Sequence, residues 1–195
     1  MPLVLASASA ARARMLRAAG VAFEVLAASV DEEAERIACG QRTPLDIASH
    51  LALKKALQIS SIRPGCLVLG ADQVLDLDGQ AVGKCATADE ARALLSRLRG
   101  RDHELVSAAV LVEGERELWR CAERCRLVMR SFSDEFLADY LRSEEPAVLT
   151  SVGCYQVEGT GIQLFDRIEG DYFSVLGLPL LPLLAALRSH GIVRR

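Results

Sequence analysis

The residues best suited to chemistry begin at the first turn of the chain. Leu3 to Ala6 is a short apolar run, and Ser7-Ala8-Ser9-Ala10-Ala11-Arg12 follows it. Ser9 is a candidate N-cap for a helix running to about Ala19, and Gly20 stops it. A helix N-terminus presents free N–H groups and the positive end of a dipole, so it favours anions. Arg12 opposes that dipole unless an anion lies between them, and Ser7 and Ser9 add hydroxyl donors. Taken alone, these residues read more simply as a plain N-cap with a solvent-facing Arg12.

Lys55 is the second candidate. On a helical wheel, Ile47, Ala48, Leu51, Ala52 and Ile59 fill one broad arc, and Lys55 falls inside it. An ammonium on a buried face is costly unless it is paired or solvated by a cleft. Otherwise it snorkels to the surface, and Leu53 and Leu57, off the arc, make the wheel imperfect. The third candidate is Asp72, at the carboxyl end of the most apolar run, Cys66 to Ala71. Ligand sites in α/β sheets gather outside such strand ends. A carboxylate there holds a divalent metal or activates water, and Gly70 permits close backbone approach. Asp31 and Glu32, in an acidic loop, offer further carboxylates, and Lys84 after Gly83 can reach a phosphate.

Common templates fail. Gly79 to Cys85 has three residues between its glycines and ends in Cys, so it is no P-loop. Gly159-Thr160-Gly161 does not continue into a dinucleotide fingerprint, and neither GxSxG nor HExxH occurs. Cys121 and Cys125 lack a second pair to complete a zinc site. The six scattered cysteines fit a reduced, cytoplasmic protein.

The elements that must position these residues are legible from periodicity and breakers. After the first strand and helix, Val21 to Leu26 reads as a strand. Thr43-Pro44 opens a long helix to about Ser60. Asp78-Gly79 signals a hairpin between Val74–Leu77 and Ala81–Val82. Thr87 and Glu90 form a capping box for a helix to Leu98. Two long strands, His103 to Val112 and Leu118 to Met129, join around Gly114. A helix starting at Ser133 ends at Pro146, Tyr155 to Val157 and Ile162 to Phe165 read as strands, and Leu180 to Ser189 closes the chain as a helix. The pattern predicts a mixed α/β protein around a curved sheet.

Composition bounds the rest. The chain has 195 residues, a net charge of −3, 51% hydrophobic and 25% charged residues. That excludes collagen-like and disordered classes and gives no global attraction for nucleic acid or anionic membrane. No run reaches the roughly 18 apolar residues of a membrane span, and the Ala- and Ser-rich start lacks the basic region of a signal peptide.

Eight ordered blocks, taken together, resemble the Maf family, the septum-formation-inhibitor-like nucleotide pyrophosphatases. They are Leu5-Ala6-Ser7-x-Ser9, Val30-Asp31-Glu32, Leu53-Lys54-Lys55-Ala56, and Leu69 to Val74 with Gly83-Lys84. Leu98-x-Gly100-Arg101-x-His103, Gly153-x-Tyr155-x-Val157-Glu158-Gly159, Ile168 to Tyr172 and Val175-x-Gly177-Leu178-Pro179 complete the set. The resemblance covers nearly the whole chain. It implies hydrolysis of a nucleoside triphosphate to monophosphate and pyrophosphate with Mg²⁺ or Mn²⁺. It also implies one domain over residues 1–195, similar to the inosine-triphosphate pyrophosphatases, with a long curved mixed sheet, a cleft between two lobes, and a homodimer.

By the same resemblance Asp72 is the proton acceptor. Ser7, Ser9, Arg12, Lys55 and Lys84 hold substrate phosphates, Glu32 and Asp72 the metal, and Gln73 and Glu158 set base preference. Two positions depart from the family. Its Ser-Pro-Arg-Arg is Ser9-Ala10-Ala11-Arg12 here, and its Gly-Lys-Pro is Gly83-Lys84-Cys85. Gln73 with Glu158 is the pairing of the 7-methyl-GTP-hydrolysing branch. A carboxylate accepts from both donors on a guanine Watson–Crick edge, whereas thymine and uracil would turn carbonyls toward it. N7-methylation adds a positive charge that the carboxylate attracts, and Gln73 is suited to reading O6. The rival expectation is a nucleotide-binding regulator of cell division with weak or no catalysis, for which Ala11 is the sequence support.

Overall fold

A computed structural model describes residues 1–40 and 42–194. In chain order the elements are β1 (Leu3–Leu5), α1 (Ala10–Ala18), β2 (Glu24–Val25), α2 (Glu32–Cys39) and α3 (Pro44–Ile62). Next come β3 (Leu67–Leu77), β4 (Gln80–Val82), α4 (Ala88–Leu98), β5 (Asp102–Glu113), β6 (Arg116–Met129) and α5 (Asp134–Glu144). Three short 3₁₀ turns lead to β7 (Phe165–Glu169), α6 (Tyr172–Val175) and α7 (Leu180–Ser189). The seven strands form one mixed sheet in the order β2-β1-β3-β5-β6-β7, with β4 beside β3. β1 runs parallel to β2 and β3, and the other pairings are antiparallel. The expected α/β class, a mixed sheet flanked by helices, is what the chain adopts.

The sheet has a notch. β1 accompanies β3 only as far as the pair Leu5–Leu69. β4 joins the same edge only at Leu75–Val82, because β5 occupies the opposite edge from Val68 to Asp76. Gly70 to Val74 therefore have a strand neighbour on one side only. A bare strand edge leaves peptide groups without partners, and side chains of both sheet faces border the gap.

α3 covers one face of β3. Thr43 caps it through a reciprocal pair with Asp46, and Pro44 sits in its first turn, where a missing N–H costs nothing. Its buried arc, Ile47, Ala48, Leu51, Ala52, Ala56 and Ile59, packs with Val68, Val74, Val106 and Val110. Gly70 sets the distance between the two elements. A β-carbon there would overlap the Ala52 carbonyl and lie 2.8 Å from Ala56 Cβ. The opposite face packs Leu67, Leu69 and Ala71 against α1 and α7. The far end of the sheet packs against α4 and α5.

Four expectations change. Cys66–Ala71 and Val74–Leu77 are one strand, so Asp72 is interior to β3; the end that matters is that of its parallel neighbour β1. The Asp31-Glu32-Glu33 loop is the start of α2: Asp31 accepts from Ala34 N–H, and Glu32, Glu33 and Glu35 suit the positive end of the helix dipole. Tyr155–Val157 and Ile162–Phe165 are not strands. Gly153 turns with positive φ, Gly161 packs against the Gln156 backbone, and only Phe165–Glu169 joins the sheet. The Val21–Leu26 strand shrinks to Glu24–Val25.

Candidate active site

The notch opens into a cleft of about 580 Å³. One wall comes from the β1–α1 turn, α2, α3 and Gly83-Lys84. The other comes from residues 149–152, 155–158 and 175–177. At its floor Lys55 Nζ donates to Asp72 Oδ1 at 2.5 Å and pairs with Glu32 Oε1 at 2.6 Å. Lys55 and Asp72 are buried, so the wheel's inward placement of Lys55 holds. The close seat at Gly70 brings α3 near enough for that contact. Burial raises the Asp72 carboxyl above the usual carboxylate range, and the charges of Lys55 and Arg12 only partly offset it. Burial pushes Glu32 the same way, but the Lys55 hydrogen bond and charge, with Lys84 and Arg12, outweigh it and hold Glu32 low.

Arg12 is not a solvent arm. Its Nε donates to Gly177 O at 2.8 Å, and its Nη1 donates to Ser7 Oγ at 3.0 Å and to Ala71 O at 2.9 Å. It thus caps the bare edge of β3 and ties α1 to the segment before α7. These bonds leave Nη2 for a ligand. Burial lowers its pKa, while Asp72 and Glu32 act to raise it. Ser9 caps α1 by accepting from Arg12 N–H, and Ser7 accepts from Ser9 N–H at 3.2 Å. Ser7, Ser9, Arg12, Lys55 and Lys84 all border the cleft, as do Glu32, Asp72, Gln73 and Glu158.

Two residues are engaged in ways the sequence did not suggest. Gln73 Nε2 donates to Ser107 Oγ, Ser174 O and Val175 O. Both of its amide hydrogens are spent there, so Gln73 offers the cleft its carbonyl oxygen and not a donor for a base O6. Glu158 Oε2 accepts from Arg14 Nη2 at 2.7 Å, linking the far wall to α1. Arg14 follows Ala11 by three residues on α1, one helical turn, and both border the cleft. Arg14 and Arg36 also border the cleft without a signal in the sequence; Arg36 reaches it because the segment after Asp31 is a helix and not an acidic loop. Cys85, in the Gly-Lys-Pro departure, neighbours Cys154; burial pushes the Cys154 thiol up to about 12, and Cys85 acts mainly in the same direction.

The residues fit a divalent cation. Glu32 and Asp72 converge on one ammonium, and Mg²⁺ is commonly held by one or two carboxylates together with substrate phosphates. Among the described residues no group of three or more His, Cys, Asp or Glu forms a self-sufficient metal cage.

Fold and site define an α/β protein whose cleft gathers basic side chains and a helix N-terminus beside a buried carboxylate. The chain belongs to the Maf family: residues 2–190 match the Maf-like proteins. It is 50% identical to a Caulobacter vibrioides protein named nucleoside triphosphate pyrophosphatase, over 97% of this chain and 96% of that one. A Sphingopyxis alaskensis protein of the same name is 48% identical over 98% of each. Among solved structures, a HAM1 protein from Coxiella burnetii aligns with TM-score 0.42 and 19% identity, over 66% of this chain and 73% of that one. No described helix is long and apolar enough to cross a membrane.

Proposed function

We propose that this chain hydrolyses the α–β phosphoanhydride of a nucleoside triphosphate, releasing nucleoside monophosphate and pyrophosphate. The observation that carries the reading is the Asp72–Lys55–Glu32 cluster at the sheet notch, facing the N-terminus of α1. Asp72 accepts the proton of the attacking water as the water oxygen bonds to the α-phosphorus. The electron pair of the broken P–O bond leaves on the pyrophosphate. Lys55 orients Asp72, and Lys84, Arg12 Nη2, Ser7 and Ser9 with the α1 N-terminus hold phosphate oxygens. Glu32 and Asp72 would hold Mg²⁺ or Mn²⁺, which when bound supplies charge neutralisation at the phosphates.

The finer reading is a guanine-type base, 7-methyl-GTP or another modified purine nucleotide. It rests on Glu158, the carboxylate of the wall that also carries Leu149, Val152, Tyr155 and Val157. A base that engages Glu158 takes it from Arg14, and both groups are partly exposed, so the exchange is cheap. The Gln73 carbonyl can accept but not donate. The test is a panel of ordinary and modified triphosphates with Mg²⁺ or Mn²⁺, scored for pyrophosphate release. 7-methyl-GTP should lead the panel, and Glu158→Gln should move preference away from guanine-type bases. Equal or better turnover of dTTP and UTP by the unaltered protein overturns the base assignment. Tight binding of every triphosphate without release overturns catalysis and leaves a nucleotide-binding regulator.

A further inference from the structure

Most cations bordering the cleft are already committed. Lys55 sits between two carboxylates, Arg14 is paired with Glu158, and three hydrogen bonds hold Arg12 to the protein. Lys84, exposed, pairs with no carboxylate among the described residues, and Arg36 borders the same cleft from α2. Arg36 lies four residues after Glu32, one turn along the same helix face.

The seat of Arg36 is unusual. Its guanidinium lies against the backbone of Gly83, where a β-carbon would overlap Nη1 and stand 2.5 Å from Cζ and 2.7 Å from Nη2. Gly83 has no positive φ, so its backbone does not require glycine; a side chain there would instead push the Arg36 guanidinium off its seat. The guanidinium thereby stands beside the residue that carries Lys84. Its one carboxylate partner is Glu33, whose side chain is 65% exposed against 21% for Arg36. That exposed pair is weak and easily exchanged.

We infer that Arg36, seated on Gly83 and paired with Lys84, grips the departing pyrophosphate. The assignment deepens the pyrophosphatase reading and rests on it. Asp72, Lys55 and Glu32 place the reacting phosphorus at the cleft floor, and Arg36 lies one helical turn, about 6 Å, beyond Glu32. Breaking the α–β bond puts the electron pair on the pyrophosphate oxygen. A planar guanidinium fork with an adjacent ammonium is suited to that growing charge.

The test separates the two halves of the product. Binding of inorganic pyrophosphate with Mg²⁺, and of a nucleoside monophosphate, is measured by titration calorimetry, alongside pyrophosphate release from triphosphate. Arg36→Ala should weaken pyrophosphate by about 10- to 100-fold and leave the monophosphate unchanged. Arg36→Lys should restore only part, because it loses the fork. Gly83→Ala should reproduce the loss by displacing the guanidinium, and the double variant should be no weaker than Arg36→Ala alone. Unchanged pyrophosphate affinity in Arg36→Ala overturns the assignment, as does equal weakening of both products, which marks a structural role. If the unaltered protein binds pyrophosphate through Arg36 yet releases none from any triphosphate, the catalytic reading fails while the site stands.

Discussion

At the scale of single residues, the two lysines of the cleft separate by burial. Lys84 is exposed, so Lys84→Ala should lower kcat/KM for a triphosphate and leave the melting temperature within about a degree of the unaltered protein. Lys55 is buried between Glu32 and Asp72. Lys55→Ala should lower activity and also cost about 3 kcal/mol, because it strands the buried Asp72 carboxylate. The family resemblance makes both lysines substrate contacts; the doubly paired ammonium adds a structural role for Lys55. Paired melting and steady-state measurements decide it, and an unshifted melting temperature in Lys55→Ala would count against the buried pair. Asp72→Asn keeps the volume and an acceptor for Lys55, so the fold should survive. Turnover should drop by at least about 10²–10⁴-fold, the usual loss with a general base. Near-normal pyrophosphate release from a folded Asp72→Asn would sink the mechanism.

At the scale of elements, the contact between α3 and β3 is what delivers Lys55 to Asp72. Gly70 has the Ala52 carbonyl and Ala56 where a side chain would go, and these are backbone or short groups that cannot swing away. Gly70→Ala should therefore destabilise the protein by about 1–3 kcal/mol and reduce activity more than the melting temperature implies. Chemical denaturation and kinetics on the same preparation test this; full activity in a Gly70→Ala variant would show that the spacing is not critical. α2 shows how much one cap decides. Asp31 was legible as acidic, but not as the N-cap that turns three following carboxylates into helix formers. Because the segment is a helix, Glu32 and Arg36 fall on one face, a relation that a loop would not impose.

At the scale of the whole molecule, the wall bearing residues 153–158 is fastened by a buried polar contact. His103 on β5 meets the Tyr155 hydroxyl at 2.6 Å, and both pack around Phe165. Burial pushes the His103 imidazole down to about 4, with Asp102 acting weakly the other way. The unfolded chain protonates near 6.5, so between those values it binds the proton that the native state refuses. Stability therefore rises with pH across that window. It is untouched by this group above about pH 7 and lower by about 3 kcal/mol near pH 4. His103→Gln should be less stable at neutral pH yet lose less on acidification. Denaturation midpoints at pH 7, 5.5 and 4.5 decide it, and parallel pH profiles for the two proteins would exclude His103 as the source.

Residue types and the strongly periodic elements are legible in the amino-acid order alone. The Thr43-Pro44 helix start, the apolar run before Asp72 and the two long strands around Gly114 each carry a local signal: a cap, an unbroken apolar stretch, a turn residue. Lys55 was legible as an anomaly because a charge inside an apolar arc demands a partner. Its partners were not legible, since Asp72 and Glu32 lie on other elements, and only the packed fold brings them to one ammonium. The notch belongs to tertiary structure alone. It exists because β1 stops at Leu5 while β3 runs on, and because β4 rejoins the edge only at Leu75. Strand lengths and register are set by pairing between distant segments, so no local pattern encodes the gap. The same holds for Arg12, whose donors cap that edge, and for Arg36, whose seat is made by a glycine 47 positions away in the chain. Local spacing decides which face a side chain takes; only the packed sheet decides what it meets there.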